Sequence, residues 1–230
     1  MKFAIYGDSF ADAFHPAIGN YNHLTWASKL AAFLGATSID YHAQGATPFV
    51  FTYRKIMESA AQYDRIIVAV TDPYRYTKPV ENQYITGINS VDKIKQSSTR
   101  KQLLGWFYSQ DDVFMSTIQE LMLQQIIALS PTAILVPCFP DSFTPQRRSQ
   151  SIWRDVSLCH FGHVAVVQAA LENVAYQEVI GSNNLLCHMP ADWQKPVARA
   201  IHRAVTSQQP VAIPHNLTLR FPISNYFKTS

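Results

Sequence analysis

Arg65-Ile66-Ile67-Val68-Ala69-Val70, followed by Thr71-Asp72-Pro73, is the stretch on which the rest of the sequence turns. It is rich in β-branched residues, carries a single charge at its leading end and stops at a turn-forming Thr-Asp-Pro, which predicts a buried strand. Strands apolar on both faces belong in the middle of parallel sheets, where helices cover both sides.

Working outward from that strand, the same grammar repeats. Lys2 to Tyr6 is an apolar run ended by Gly7-Asp8-Ser9, which predicts a first strand feeding a tight turn. Leu24, Ala27, Leu30, Ala31 and Leu34 recur at helical spacing, with Gly35 placed to end the helix. Ser38 to His42 predicts a second strand, closing in Ala43-Gln44-Gly45-Ala46, and Pro48 to Ala61 a second helix. Beyond the opening stretch, Phe114, Ile118, Leu121, Met122, Gln125, Ile126 and Leu129 space a helix over 113–129, and Ala133 to Val136 predicts a fourth strand. Alternation of this kind implies a three-layer α/β/α domain around a mainly parallel sheet.

The remainder is less regular. About forty residues from Pro73 to Asp112, rich in Tyr, Lys, Gln and Ser, form an insertion longer than an ordinary connection, suited to a lid, a binding loop or an interaction surface. Asp141 to Gln150 reads as loop, and Ser151 to Tyr176 as helical with a break at Gly162. A last helix is expected over 192–205, with Trp193, Val197, Ala200, Ile201, Ala204 and Val205 inward. The tail at about 210–230 contains three prolines and suits a segment that wraps the surface or meets a partner. Together, residues 1–230 are expected to form one domain, and the insertion or tail could serve oligomerisation.

Composition narrows the function classes. Hydrophobic residues are 47% of the 230 and charged residues 15%, a globular balance, and no segment approaches the roughly 18 apolar residues of a membrane span. Gly7 and Asp8 interrupt the N-terminal apolar run, so neither a signal peptide nor a membrane partner is expected and a cytoplasmic setting is. The net charge of +3 comes from scattered basic residues, the densest being the Arg147-Arg148 pair, too sparse a footprint for nucleic acid. Three cysteines, at 138, 159 and 187, form no CxxC pair and suit buried thiols rather than disulfides or metal ligands. His160 and His163 lie three apart, but Gly162 weakens the helix that would align them, so no metal is expected.

Ligands of open α/β sheets bind at the carboxyl ends of the strands. Ser9 follows the first strand, Gly45 the second and Thr71-Asp72 the third, so three segments distant in sequence converge there. A serine hydroxyl attacks an acyl group only when a base takes its proton and donors face the oxygen that becomes negative. The amides of Ser9 and Gly45 are candidate donors, and His188, in Cys187-His188-Met189-Pro190, is the candidate base. Asp8 suits a helix cap or a brace for the turn. Tyr74 and Arg75, with Tyr76 and Tyr84, could stack on sugars, grip an anionic substrate or cover the sheet edge.

Gly7-Asp8-Ser9, Gly45, Ala69-Val70-Thr71-Asp72 and a C-terminal His188 ahead of a helix resemble, in order, the four blocks of the SGNH/GDSL hydrolase superfamily. The resemblance implies a flavodoxin-like fold and ester hydrolysis through an acyl-serine, without metal or organic cofactor. It implies Ser9 as nucleophile, His188 as general base, and the Ser9 and Gly45 amides in the oxyanion hole. The substrate would be a small acyl ester, with a carbohydrate O-acetyl group as a candidate. Three positions depart from the family pattern, the first being Ala69, which stands where a glycine usually opens the third block. Thr71 stands where an asparagine usually donates to the oxyanion, and Leu185 stands where an aspartate usually orients the histidine. Asn184 or a main-chain carbonyl is left to do so. The competing expectation is a binding or assembly module that keeps the fold without the catalysis.

Overall fold

The structure, a computed structural model, describes residues 1–12, 25–45, 47–73, 77–80, 83–86, 97–108, 111–154, 156–159, 161 and 194–212. Four parallel strands, β1 (Lys2–Tyr6), β2 (Ser38–Tyr41), β3 (Arg65–Val70) and β6 (Ile134–Pro137), form a sheet in the order β2-β1-β3-β6. Ile5 lies opposite Tyr41 on one side and Ile67 on the other, and Val68 lies opposite Leu135. The opening stretch is an interior strand, flanked by β1 and β6. Ile66 to Val70 are fully buried, each large side chain contributing roughly 1.5–3 kcal/mol of apolar transfer.

Helices α1 (Trp26–Phe33), α2 (Phe49–Ser59), α4 (Asp112–Leu129) and α6 (Gln194–Ser207) flank the sheet. Right-handed crossovers send the β1-to-β2 connection to one face and the β2-to-β3 and β3-to-β6 connections to the other. In keeping with that, α1 packs on α6 and α2 packs on α4. The Thr25 side chain caps α1 by accepting from the Ser28 amide, and Gly35, at φ +83°, turns the chain out of it. Pro196 lies in the first turn of α6, where its missing N–H breaks no helical bond. The predicted inward residues Val197, Ala200, Ile201 and Ala204 are buried there.

The structure differs from the sequence expectation in four places. Residues 73–112 contain a hairpin of β4 (Thr77–Val80) and β5 (Gln83–Thr86), and helix α3 (Ser97–Tyr108). Four-residue strands are too short to show alternation, and α3 carries Gly105 in its interior. Asp141–Gln150 is not loop throughout, because a 3-10 turn over Pro140–Ser142 is followed by the short helix α5 (Pro145–Gln150). The α5 sequence is polar throughout, so only its Thr144 cap and Pro145 could announce it. Ser151 to Arg154 make turns instead of starting a helix, and most of the span on to Tyr176 lies outside the described residues.

The fourth difference is the inward face of α4. Gln119, Leu123 and Ile126 are buried, whereas Phe114, Leu121 and Leu129 are exposed. Apolar residues surround this helix, so spacing alone selects no single face, and the buried stripe runs through a glutamine. Among the described residues no helix is long and apolar enough to cross a membrane.

Candidate active site at the strand ends

Immediately after β1 the chain makes a tight turn. Gly7 takes φ +149°, and a Cβ there would lie 2.6 Å from the Ala69 Cβ on β3, so only glycine fits. The amides of Ala11 and Asp12 both donate to the Asp8 carbonyl at 3.0 Å, winding Ser9-Phe10-Ala11 into one turn. Ser9 sits near the top of that turn, 5% exposed.

Asp8 is fully buried and faces the interior. Its Oδ1 accepts from the Phe10 amide at 3.1 Å and from the Cys138 thiol at 3.8 Å, and its Oδ2 accepts from the Thr71 hydroxyl at 2.8 Å. Donors from the ends of β1, β3 and β6 thus meet on one carboxylate. Within the described residues 8–12 the chain forms a turn, and Asp8 braces it. Charge-assisted bonds of this kind are the stronger class, which is how a buried carboxylate is tolerated.

The second strand joins the same assembly. Gln44 donates its amide to the Gly7 carbonyl at 3.0 Å, extending the β1–β2 ladder past Tyr41, and the Gly45 amide donates to Asp12 Oδ2 at 2.8 Å. On the other flank, buried Gln119 from α4 donates to the Thr71 carbonyl at 3.0 Å and to the Ser142 carbonyl at 2.9 Å. One side-chain amide therefore joins the end of β3 to the 3-10 turn after β6. The Cys138 amide closes the arrangement by donating to the Val70 carbonyl at 2.9 Å.

The structure thus brings Asp8, Ser9, Gly45 and Thr71 together, with Asp72, half-buried, next along the chain. His188, Tyr74 and Arg75 lie outside the described residues. Two features bear on the chemistry expected here. The Thr71 hydroxyl is donated to Asp8, and the Gly45 amide is donated to Asp12. No described residue takes up the Ser9 hydroxyl.

Sequence reasoning missed Asp12, Gln119 and Cys138. A second carboxylate three residues beyond Ser9 is a signal for the first, and a glutamine in line with Leu123 and Ile126 is a signal for the second. Cys138 carried no distinguishing pattern. Cys138 and Cys159 are buried thiols. No set of three His, Cys, Asp or Glu side chains suited to a metal occurs among the described residues.

Two other polar groupings are separate from these residues. Near the β2 edge, the Tyr63 hydroxyl donates to Asp40 at 3.0 Å and contacts His42 Nε2 at 2.8 Å, while the His42 ring stacks on Tyr6 at 4.8 Å. Burial and the bond to Asp40 push the Tyr63 hydroxyl up to about 12, and burial lowers His42. Elsewhere, α4 and α5 wall a groove of about 850 Å3 that contains the bidentate Arg147–Glu120 pair. None of the strand-end residues lines it.

No family model matches the chain, and no curated protein matches it in sequence. Among solved structures it is similar to a G-D-S-L family protein, provisionally described as lipolytic, from Desulfitobacterium hafniense DCB-2. Identity is 13%, the TM-score is 0.42, and the match covers 88% of this chain and 98% of that one. A likeness of that size carries no argument about activity. The α/β fold rests on the parallel sheet itself.

Proposed function

We propose that the chain is a serine esterase of SGNH type that hydrolyses a small acyl ester, with a carbohydrate O-acetyl group as the candidate substrate. One observation carries the reading. In the order β2-β1-β3-β6, chain direction across the sheet reverses at β1 and β3, and Ser9 sits on the turn that closes β1 at that switch point. Open α/β sheets bind ligands there. Gly45 and Thr71-Asp72 flank it from the neighbouring strands.

In this reading the His188 imidazole takes the Ser9 hydroxyl proton as Oγ attacks the ester carbonyl carbon. The carbonyl electrons move onto oxygen, facing the Ser9 and Gly45 amides. As the C–O bond to the alcohol breaks, the imidazolium returns the proton to the departing oxygen. Water then repeats the sequence on the acyl-serine and releases the acid. With the Thr71 hydroxyl committed to Asp8, the hole lacks the side-chain donor of the family pattern, and one missing donor costs about 100-fold or more in rate. Slow turnover follows. Tyr74 and Arg75 of the insertion are the candidate binding residues for the alcohol part.

Ser9→Ala is expected to abolish acetate release from p-nitrophenyl acetate, and activity that survives the change removes Ser9 as nucleophile. A second reading is favoured by the same two hydrogen bonds, since both Thr71 and Gly45 are already donating to carboxylates. On that reading the chain is a binding or assembly module with an inert serine. A folded sample that a fluorophosphonate fails to label at Ser9 would favour it.

A further inference from the structure

The geometry points to Asp12 as a specificity-determining residue that keeps the Gly45 amide closed until a substrate with its own hydrogen-bond donor takes the carboxylate; this rests on the esterase reading above. Asp12 is 8% exposed, and its Oδ2 lies 2.8 Å from the Gly45 nitrogen. It reaches that position because its own amide is held by the Asp8 carbonyl at 3.0 Å, in the turn that carries Ser9. The candidate nucleophile and the occupant are therefore three residues apart on one hydrogen-bonded turn.

An amide N–H makes one strong hydrogen bond at a time. While the Asp12 carboxylate accepts it, a developing oxyanion gains nothing from Gly45, and a negative charge beside another in a site closed to water is strongly disfavoured. For the acyl group to use this donor, Asp12 Oδ2 must move away. A buried carboxylate that gives up one of its donors loses part of the solvation that the protein supplies, so the motion costs less when the incoming molecule brings a donor to replace it. An ester of a polyhydroxylated alcohol brings hydroxyls next to the scissile bond. A p-nitrophenyl ester brings none, and an ester with a carboxylate on the alcohol part would add a further repulsion.

The test is a ratio, because a residue that only holds the 42–45 segment in place would alter all esters alike. Activity on an acetylated monosaccharide bearing free hydroxyls and on p-nitrophenyl acetate is measured as kcat/KM for the parent and for Asp12→Ala, with fluorophosphonate labelling of Ser9 alongside. Labelling forms the Ser9 Oγ–P bond and expels fluoride, with the serine proton leaving to the base. In Asp12→Ala the Gly45 amide is released, so the sugar-to-nitrophenyl ratio should fall about tenfold or more, the size of a hydrogen bond to a charged group. Labelling should quicken with it. If Asp12→Ala does not fold, Asp12→Asn keeps an acceptor oxygen without the charge and should lower the ratio several-fold. An active, labelled parent whose ratio is unchanged in the variants that fold overturns this inference and leaves the esterase standing. No turnover and no labelling in any folded form brings down the esterase reading, and this inference with it.

Discussion

Asp8 and Asp40 are both aspartates at the ends or edges of the same sheet, yet they are held in opposite ways. Asp8 has no exposure and is bonded by a backbone amide, a hydroxyl and a thiol arriving from three strand ends. The Asp40 side chain is 45% exposed and meets the Lys2 ammonium at 3.3 Å and the Tyr63 hydroxyl at 3.0 Å. The first carboxylate is solvated by the protein, the second mostly by water. Neutral, fixed donors are the costly kind to remove, because each is orphaned when the carboxylate goes. An exposed ion pair loses little, since water replaces either partner.

The sharpest way to break this contrast is Asp8→Ala, which should destabilise the fold by about 2–4 kcal/mol, read as a shift in the urea midpoint. A loss no larger than that of Asp40→Ala would mean the two carboxylates are equivalent after all. Next, Gln119→Leu removes the bridge between the Thr71 and Ser142 carbonyls and should cost roughly 1–3 kcal/mol by the same measurement. Thr71→Val keeps the shape but strips one donor from Asp8, and about 1–2 kcal/mol is expected.

The smallest effect concerns pH. The Tyr63 hydrogen bond and then Lys2 hold the Asp40 carboxyl below its ordinary value of 3.8. Its lowered value means that its contribution is present above about pH 4 and fades as pH falls through the folded-state value. Melting curves of the parent and Asp40→Asn should therefore differ slightly near neutrality and converge in acid. A gap that widened in acid would contradict the assignment.

How far the sequence could be read follows from the same physics. β1 and β3 were legible to the residue, because a buried parallel strand is a continuous apolar run and both stop at turn residues. The Ser9, Gly45 and Thr71 cluster was legible through connectivity, since parallel strands must place their carboxyl ends side by side. What was not legible is which donors each group had already spent. Nothing in Gly-Asp-Ser says that Asp8 takes the Thr71 hydroxyl, and nothing in Gln44-Gly45 says that Asp12 reaches the glycine amide. Those bonds join residues 63 and 33 positions apart, and side-chain pairings at such distances leave no periodic trace. The buried face of α4 was not legible for a related reason, as its stripe is set by the polar demand of two carbonyls as well as by apolar spacing.

Thr71 is gripped twice, through its hydroxyl by Asp8 and through its carbonyl by Gln119, and Pro73 two residues later is buried. That doubly fastened root is where the long insertion leaves the sheet. Segments grafted between 74 and 96 should consequently leave the floor carrying Ser9 in place, making this junction a natural seam at which one inserted segment can be exchanged for another.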